Sequence, residues 1–251
     1  MLSKALLKLI KSLEIKKFRK EYELFVAEGG KTVCDLINLN IEVEHIIATK
    51  EWLNNHKEIK NLNISEVSEE ELKRASFLRT PQGVLAVFKQ PKYDIDTTIP
   101  ERELCLALDN VQDPGNLGTI IRIADWFGIE NIYCSQGSAD IYNPKTIQAT
   151  MGAIGRVKIH YINLFNFLNN LKEKVNIYGT FLNGENIYNK SLENRGIIVM
   201  GNEGNGISEE CSKIINTRLF VPNYPAERNT SESLNVSVAT AIICSEFRRR
   251  F

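Results

Sequence analysis

The chain has 251 residues, 43% hydrophobic and 25% charged, with 31 basic and 31 acidic side chains for a formal net charge of +0. That composition fits a soluble globular protein of one large or two modest domains and argues against a surface coated in nucleic-acid-binding charge. No apolar run approaches the roughly 20 residues that span a bilayer, and the opening alternation of Leu and Ile with Lys lacks a signal peptide's continuous apolar core and small-residue cleavage site. The five cysteines, Cys34, Cys105, Cys134, Cys211 and Cys244, are scattered and form no CxxC pair. His45, His56 and His160 have no ligand-like neighbours. The expectation is a cytoplasmic chain with reduced thiols, no metal and no membrane.

In chain order, residues 2–10 have helical spacing, with Leu2, Ala5, Leu6, Leu9 and Ile10 on one face. Within the first twenty residues Lys4, Lys8, Lys11, Lys16, Lys17, Arg19 and Lys20 face one acid, Glu14, a local basic face suited to phosphates. The pattern predicts strands at 24–27, 43–48, 63–67 and 83–88, with helices at 31–39, at 51–56 and from 68 onward. Residues 1–92 therefore read as a small α/β domain. Pro91, Pro100 and the polar set Asp94, Asp96, Thr97 and Thr98 mark a linker, placed at 93–101. Residues 102–251 read as a second domain, with strands at 104–108, 131–134, 176–181, 196–200 and 218–221. Helices are predicted at 119–127, 145–151, 164–174, 208–215 and 233–247. Continuous apolar strands alternating with helices predict a mostly parallel sheet covered on both faces.

Ligands of parallel α/β sheets bind beyond the carboxyl ends of the strands. Three strands there are followed by polar strings. Asp109-Asn110-Val111-Gln112-Asp113-Pro114-Gly115-Asn116 follows the first, with Pro114-Gly115 read as a turn, Asn116 as a candidate cap and Arg122 about one turn into the next helix. Its guanidinium suits a phosphate, through paired N–H donors. Gly201-Asn202-Glu203-Gly204-Asn205-Gly206 follows the strand at 196–200. Its order is G-x-x-G-x-G rather than the dinucleotide fingerprint, and Glu203 inside it disfavours a phosphate cradle. Ser233-Leu234-Asn235-Val236 precedes the last helix, with Ser233 read as its cap and Asn235 left free. Three such strings in one domain favour a single site.

These residues resemble the SpoU/TrmH branch of the SPOUT RNA methyltransferases. Residues 109–122 are similar to that family's first motif, 198–206 to its second, and Val221-Pro222 with 233–239 to its third. Leu24-Phe25-Val26-Ala27-Glu28-Gly29, after Lys17-Phe18-Arg19, is similar to the substrate-binding domain that many members carry. The segment 223–232 departs from the family by its length and by Asn223 in place of Met. The resemblance implies a C-terminal trefoil knot, a homodimer and S-adenosyl-L-methionine as cofactor. The implied cofactor residues are Gly201, Val221, Leu234, Thr180, Pro222 and Ser233, and the implied catalytic set is Arg122, Glu203, Asn235 and Asn116. Lys16, Lys17, Arg19, Lys20 and Arg122 are the expected RNA ligands. The implied activity is 2′-O-methylation of a structured RNA, ribosomal before transfer RNA. A non-catalytic RNA-binding protein on the same fold and a nucleotide-dependent oxidoreductase are the competing readings. The latter lacks its G-x-G-x-x-G.

Overall fold

The computed structural model describes residues 2–59, 62–225, 228, 231 and 233–251. It divides into two compact units: Met1–Lys92 with Asp140–Arg156, and Tyr93–Ala139 with Val157–Phe251. The segment 140–156 thus belongs with the first unit, although it is embedded in the sequence of the second.

The first unit contains α1 (Lys4–Ser12), α2 (Lys16–Tyr22), β1 (Leu24–Glu28), α3 (Gly30–Asn38), β2 (Val43–Thr49), α4 (Lys50–Asn55), β3 (Ile64–Val67), α5 (Glu69–Ala75) and β4 (Val84–Lys89). Its sheet runs β1-β4-β2-β3, with β4 antiparallel to both neighbours and β2 parallel to β3. Side chains alternate across a strand. Leu24 and Val26 accordingly join Ile10, Leu13, Leu72 and Ala75 in one core, while Phe25 stacks on Phe88 and meets the ring of Tyr142. Covering both faces explains why β1 is apolar over four consecutive residues. Tyr142 precedes α7 (Pro144–Thr150), which packs on β1.

Arg19 fastens this arrangement. It is only 2% exposed. Its guanidinium donates to the Leu13 and Glu14 carbonyls at 2.8 and 2.7 Å and to Asp140 Oδ2 at 2.7 Å. A desolvated charge is tolerated only when paired and hydrogen-bonded, and each of these partners meets that need. The expectation that Arg19 binds RNA is corrected: its donors are engaged inside the first unit. Lys16, Lys17 and Lys20 stay exposed on the same helix.

The second unit contains β5 (Leu104–Leu108), α6 (Pro114–Trp126), β6 (Asn131–Ser135), β7 (Lys158–Ile162), α8 (Leu164–Leu171), β8 (Ile177–Asn186), β9 (Gly196–Met200), α9 (Glu209–Ser212), β10 (Thr217–Phe220) and α10 (Val236–Arg248). Its six strands are parallel, in the order β10-β8-β9-β5-β6-β7. From β5 the chain runs outward through β6 to β7, crosses to the other side at β8, returns to insert β9 between β8 and β5, and ends outside β8 with β10. The strand order therefore reverses at β5/β9, where open α/β sheets form their ligand crevice. β5 and β9 are buried along their whole length. Tyr133, Phe167, Leu168 and Leu171 form the core on one side, and α6 packs with α10. No described helix is long and apolar enough to cross a membrane.

Two local readings need correction. Pro114-Gly115 is the first turn of α6, not a separate turn. Asp113 caps that helix by accepting from the Asn116 N–H at 2.8 Å, and Pro at the first helical position costs nothing because the N–H it lacks would have no acceptor within the helix there. Arg122 therefore lies about two turns into the helix. The strand β7 was not anticipated, because Lys158-Ile159-His160-Tyr161-Ile162 mixes polar and apolar residues at a sheet edge.

Candidate active site

β5 and β9 are hydrogen-bonded neighbours, so the loops after them leave the sheet side by side. The loop after β9 is shaped by Asn202. Its backbone exchanges hydrogen bonds with Gly206 at 2.9 and 3.0 Å. Its Oδ1 accepts from the N–H groups of Gly204 and Asn205 at 2.9 and 3.0 Å. Its Nδ2 donates to the Asn110 carbonyl at 2.8 Å, tying the two loops together. Gly201 allows the closure: a Cβ there would lie 2.2 Å from the Gly206 carbonyl carbon. Asp109, 3% exposed, accepts from the Ser208 N–H at 2.8 Å and holds the loop's far end.

Glu203 projects from this loop to the first string. Its Oε1 accepts from Asn116 Nδ2 at 3.0 Å and the Asp113 N–H at 3.2 Å, and its Oε2 from the Gln112 N–H at 3.3 Å. Partial burial raises this carboxyl, but hydrogen bonds from Asn116 and from the backbone of Glu203, Asp113 and Gln112 outweigh it and hold the group below its ordinary value. Glu203 thus bridges the two loops as a clamp.

The third string completes the chain. Asn235, not Ser233, caps α10: its Oδ1 accepts from the N–H groups of Ser237 and Val238 at 2.9 and 3.4 Å. Its Nδ2 donates to Asn116 Oδ1 at 3.0 Å. Asn116 thus accepts from Asn235 and donates to Glu203, and one side chain from each string joins a single hydrogen-bonded relay. The expectation that Asn235 stays free is corrected, since both ends of its amide are used.

Next to the relay is a cavity of about 440 Å³. Gly201, Glu203, Thr180, Val221, Ser233 and Leu234 line it, and Leu219, Val236, Ala239 and Ile243 supply apolar walls. Pro222 is not in the lining. Arg122 is exposed, does not line the cavity, and makes no hydrogen bond or ion pair among the described residues. Of the long segment 223–232, Ala226, Glu227, Asn229, Thr230 and Glu232 lie outside the described residues.

This architecture has known counterparts. Residues 103–245 match the SpoU rRNA Methylase family and residues 4–86 the MRM3-like substrate binding domain. The chain belongs to the SpoU rRNA methylase family. A member from Bacillus subtilis, 23S rRNA (guanosine(2553)-2'-O)-methyltransferase, is 31% identical over 240 residues, covering 95% of this chain and 94% of its own. A TrmH-family structure from Porphyromonas gingivalis superposes with a TM-score of 0.87 at 38% identity, covering 100% of both chains. An AdoMet-bound rRNA methyltransferase from Sinorhizobium meliloti gives a TM-score of 0.86 at 30% identity, covering 100% of this chain and 97% of that one.

Within this SpoU chain, sequence reading missed Asn202, Asp109 and Asp113 as organisers. Asn202 had a usable signal: an Asn directly after a glycine at a strand's end bonds the backbone of its own turn two residues on. It also missed Arg218, whose guanidinium lies 3.5 Å over the ring of the cavity-lining Phe181.

Proposed function

We propose that this protein transfers a methyl group from S-adenosyl-L-methionine to a ribose 2′-hydroxyl of ribosomal RNA. The observation that carries the reading is the relay Asn235–Asn116–Glu203 beside a cavity with apolar walls and a polar edge. The cavity suits an adenosyl group: a flat ring needs apolar walls and close backbone approach, and a ribose needs hydroxyl and backbone partners. Leu219, Leu234, Val236 and Ile243 would take the ring. Thr180, Ser233 and the backbone around Gly201 and Val221 would take the polar parts. The bound cofactor supplies an activated methyl for in-line displacement.

The protein's own task is alignment and water exclusion. Glu203 and Asn116 fix the loops on either side of the cavity. Arg122 has guanidinium donors to spare among the described residues, so it clamps an RNA phosphate and stabilises the negative charge that develops on the attacking oxygen as the hydroxyl proton leaves to solvent. The exposed Lys16, Lys17 and Lys20 hold the RNA backbone, and binding weakens with salt. Residues 1–92 with 140–156 form the substrate-binding part and 102–251 otherwise the catalytic part. We read the C-terminal region as the trefoil knot of the SPOUT fold and the working form as a cytoplasmic homodimer. Support for the dimer is Trp126, 83% exposed on α6, and Val238, 49% exposed on α10, apolar surface that a second copy would cover.

Titration calorimetry with S-adenosylhomocysteine and, separately, NAD tests the cofactor assignment. Binding of the first alone is the expected result. Binding of NAD alone would replace the reading with a nucleotide-dependent oxidoreductase.

A further inference from the structure

The first unit holds a second cavity, also about 440 Å³, whose lining includes Glu14, Glu28, Phe77, Pro144, Ile147 and Gln148. Nothing in the methyl-transfer reading uses it. Glu28 ends β1, and its carboxylate is only partly satisfied. Oε1 accepts from the Phe77 N–H at 2.8 Å, and Oε2 accepts from the Ser76 hydroxyl. A carboxylate offers about four lone-pair sites, so each oxygen keeps an unused acceptor position. Burial lifts the Glu28 carboxyl, with the Ser76 and Phe77 hydrogen bonds and Lys11 acting against it, so further donors would be welcome there. Phe77 is held in place: Lys11 Nζ lies 5.1 Å from its ring centroid and donates to the Ser76 carbonyl at 2.9 Å. Phe77, Pro144 and Ile147 give the cavity apolar walls.

The lining sets two carboxylates, Glu14 and Glu28, against one cation, Lys145, a balance that disfavours a phosphate as the ligand at Glu28. The ligand that fits is a flat ring with two adjacent N–H donors on one edge. Among the RNA bases only guanine offers that pair, its N1–H and N2–H. Unpaired RNA loops present that edge to proteins, with the ring stacked on a side chain. We propose that this cavity takes an unpaired guanine of the RNA substrate, with the Glu28 carboxylate accepting from its Watson–Crick edge. The inference rests on the reading of the chain as an RNA enzyme and deepens it by giving the first unit a base preference. It also gives 140–156 a purpose, since Pro144, Ile147 and Gln148 complete a pocket begun by β1 and the segment after α5.

The test measures binding of labelled heptaribonucleotides to the full-length protein by fluorescence anisotropy, without cofactor. The probes are UUUGUUU, UUUIUUU and UUUUUUU; hypoxanthine in the second keeps N1–H but lacks the N2 amino group. The wild type is expected to bind the guanosine probe about tenfold tighter than the uridine probe, as a bidentate contact warrants, with inosine between them. Glu28→Gln replaces one acceptor by a donor and should erase the preference. Gln148→Trp, at an exposed position of the lining, should erase it by filling the cavity while leaving the Ser76 and Phe77 bonds intact. Equal binding of all three probes by the wild type, or a preference that survives Gln148→Trp, would overturn the proposal. Equal binding of the three probes together with binding of an arginine-containing peptide that Gln148→Trp abolishes would overturn the proposal in favour of a protein partner. Because no methyl transfer is read, the two ideas fail separately. A protein that prefers guanosine but methylates no RNA keeps the pocket and loses the proposed function, and one that methylates RNA without the preference does the reverse.

Discussion

Arg19 and Arg122 are the same side chain in the two units, both expected from sequence to meet RNA, and the fold uses them in opposite ways. Arg19 is buried against two carbonyls and Asp140. Arg122 is exposed, with no hydrogen bond or ion pair among the described residues. A guanidinium always carries its charge, so burying one demands a complete set of acceptors, and leaving one exposed without partners keeps its donors for something else. Counting positive residues finds both arginines; only counting acceptors tells them apart.

The comparison can be broken most sharply at Arg19. Arg19→Ala leaves Asp140 partly buried without its partner, and urea denaturation should show a loss of about 3–5 kcal/mol, with methyl transfer per folded molecule preserved. Unchanged stability with a raised KM for RNA would return Arg19 to the RNA ligands. Arg122→Ala should do the converse: kcat falls by about 10²–10³, as for loss of a donor to developing negative charge, while S-adenosylhomocysteine affinity and Tm stay at wild-type values. Wild-type turnover would remove Arg122 from catalysis.

Smaller effects sharpen the contrast between clamps and free groups. Glu203→Gln turns an acceptor of several N–H groups into one that carries its own donors, and about a tenfold loss of kcat/KM is expected. Because hydrogen bonding holds Glu203 below its ordinary value, its clamp persists above the usual carboxylate range and fails only as pH falls through its lowered value. Activity near neutrality should therefore show no Glu203-dependent limb, which a pH–rate profile checks. Glu246, 5% exposed, is pushed down to about 2 by Arg249, against some desolvation, with Arg250 adding to the effect. Arg250 also donates to the Ile187 carbonyl at 3.0 Å, joining α10 to the segment after β8. Solvent around the arginines screens the pair, so Glu246→Gln should cost about 1 kcal/mol. That deficit is fully present above the ordinary carboxylate value and fades as pH drops toward 2, and a Tm series in pH measures it.

Much of the second unit was legible because its chemistry is local. Leu104 to Leu108 and Gly196 to Met200 are unbroken apolar runs and form fully buried strands, and the polar strings after them fall at one crevice. What stayed hidden depends on partners far along the chain. Nothing local in Asp140 says that it pairs with Arg19, so the return of 140–156 to the first unit was invisible. α2 was unreadable because its Lys and Arg residues show no apolar stripe, yet its one arginine, Arg19, is its buried contact. The α10 cap was misplaced by two residues because Ser233 and Asn235 are both competent caps; the link to Asn116 decided between them. The same long-range logic separates Glu203 from Glu28: one has enough donors to outweigh burial, the other does not.

The most direct test of the central claim is transfer of labelled methyl from S-adenosyl-L-methionine to ribosomal RNA taken from cells lacking this protein, followed by alkaline hydrolysis and mapping. The account predicts label in an alkali-resistant dinucleotide, the mark of a 2′-O-methyl ribose, at a defined site and absent with Arg122→Ala. Label on a base, or no transfer by a protein that binds S-adenosylhomocysteine, would contradict it.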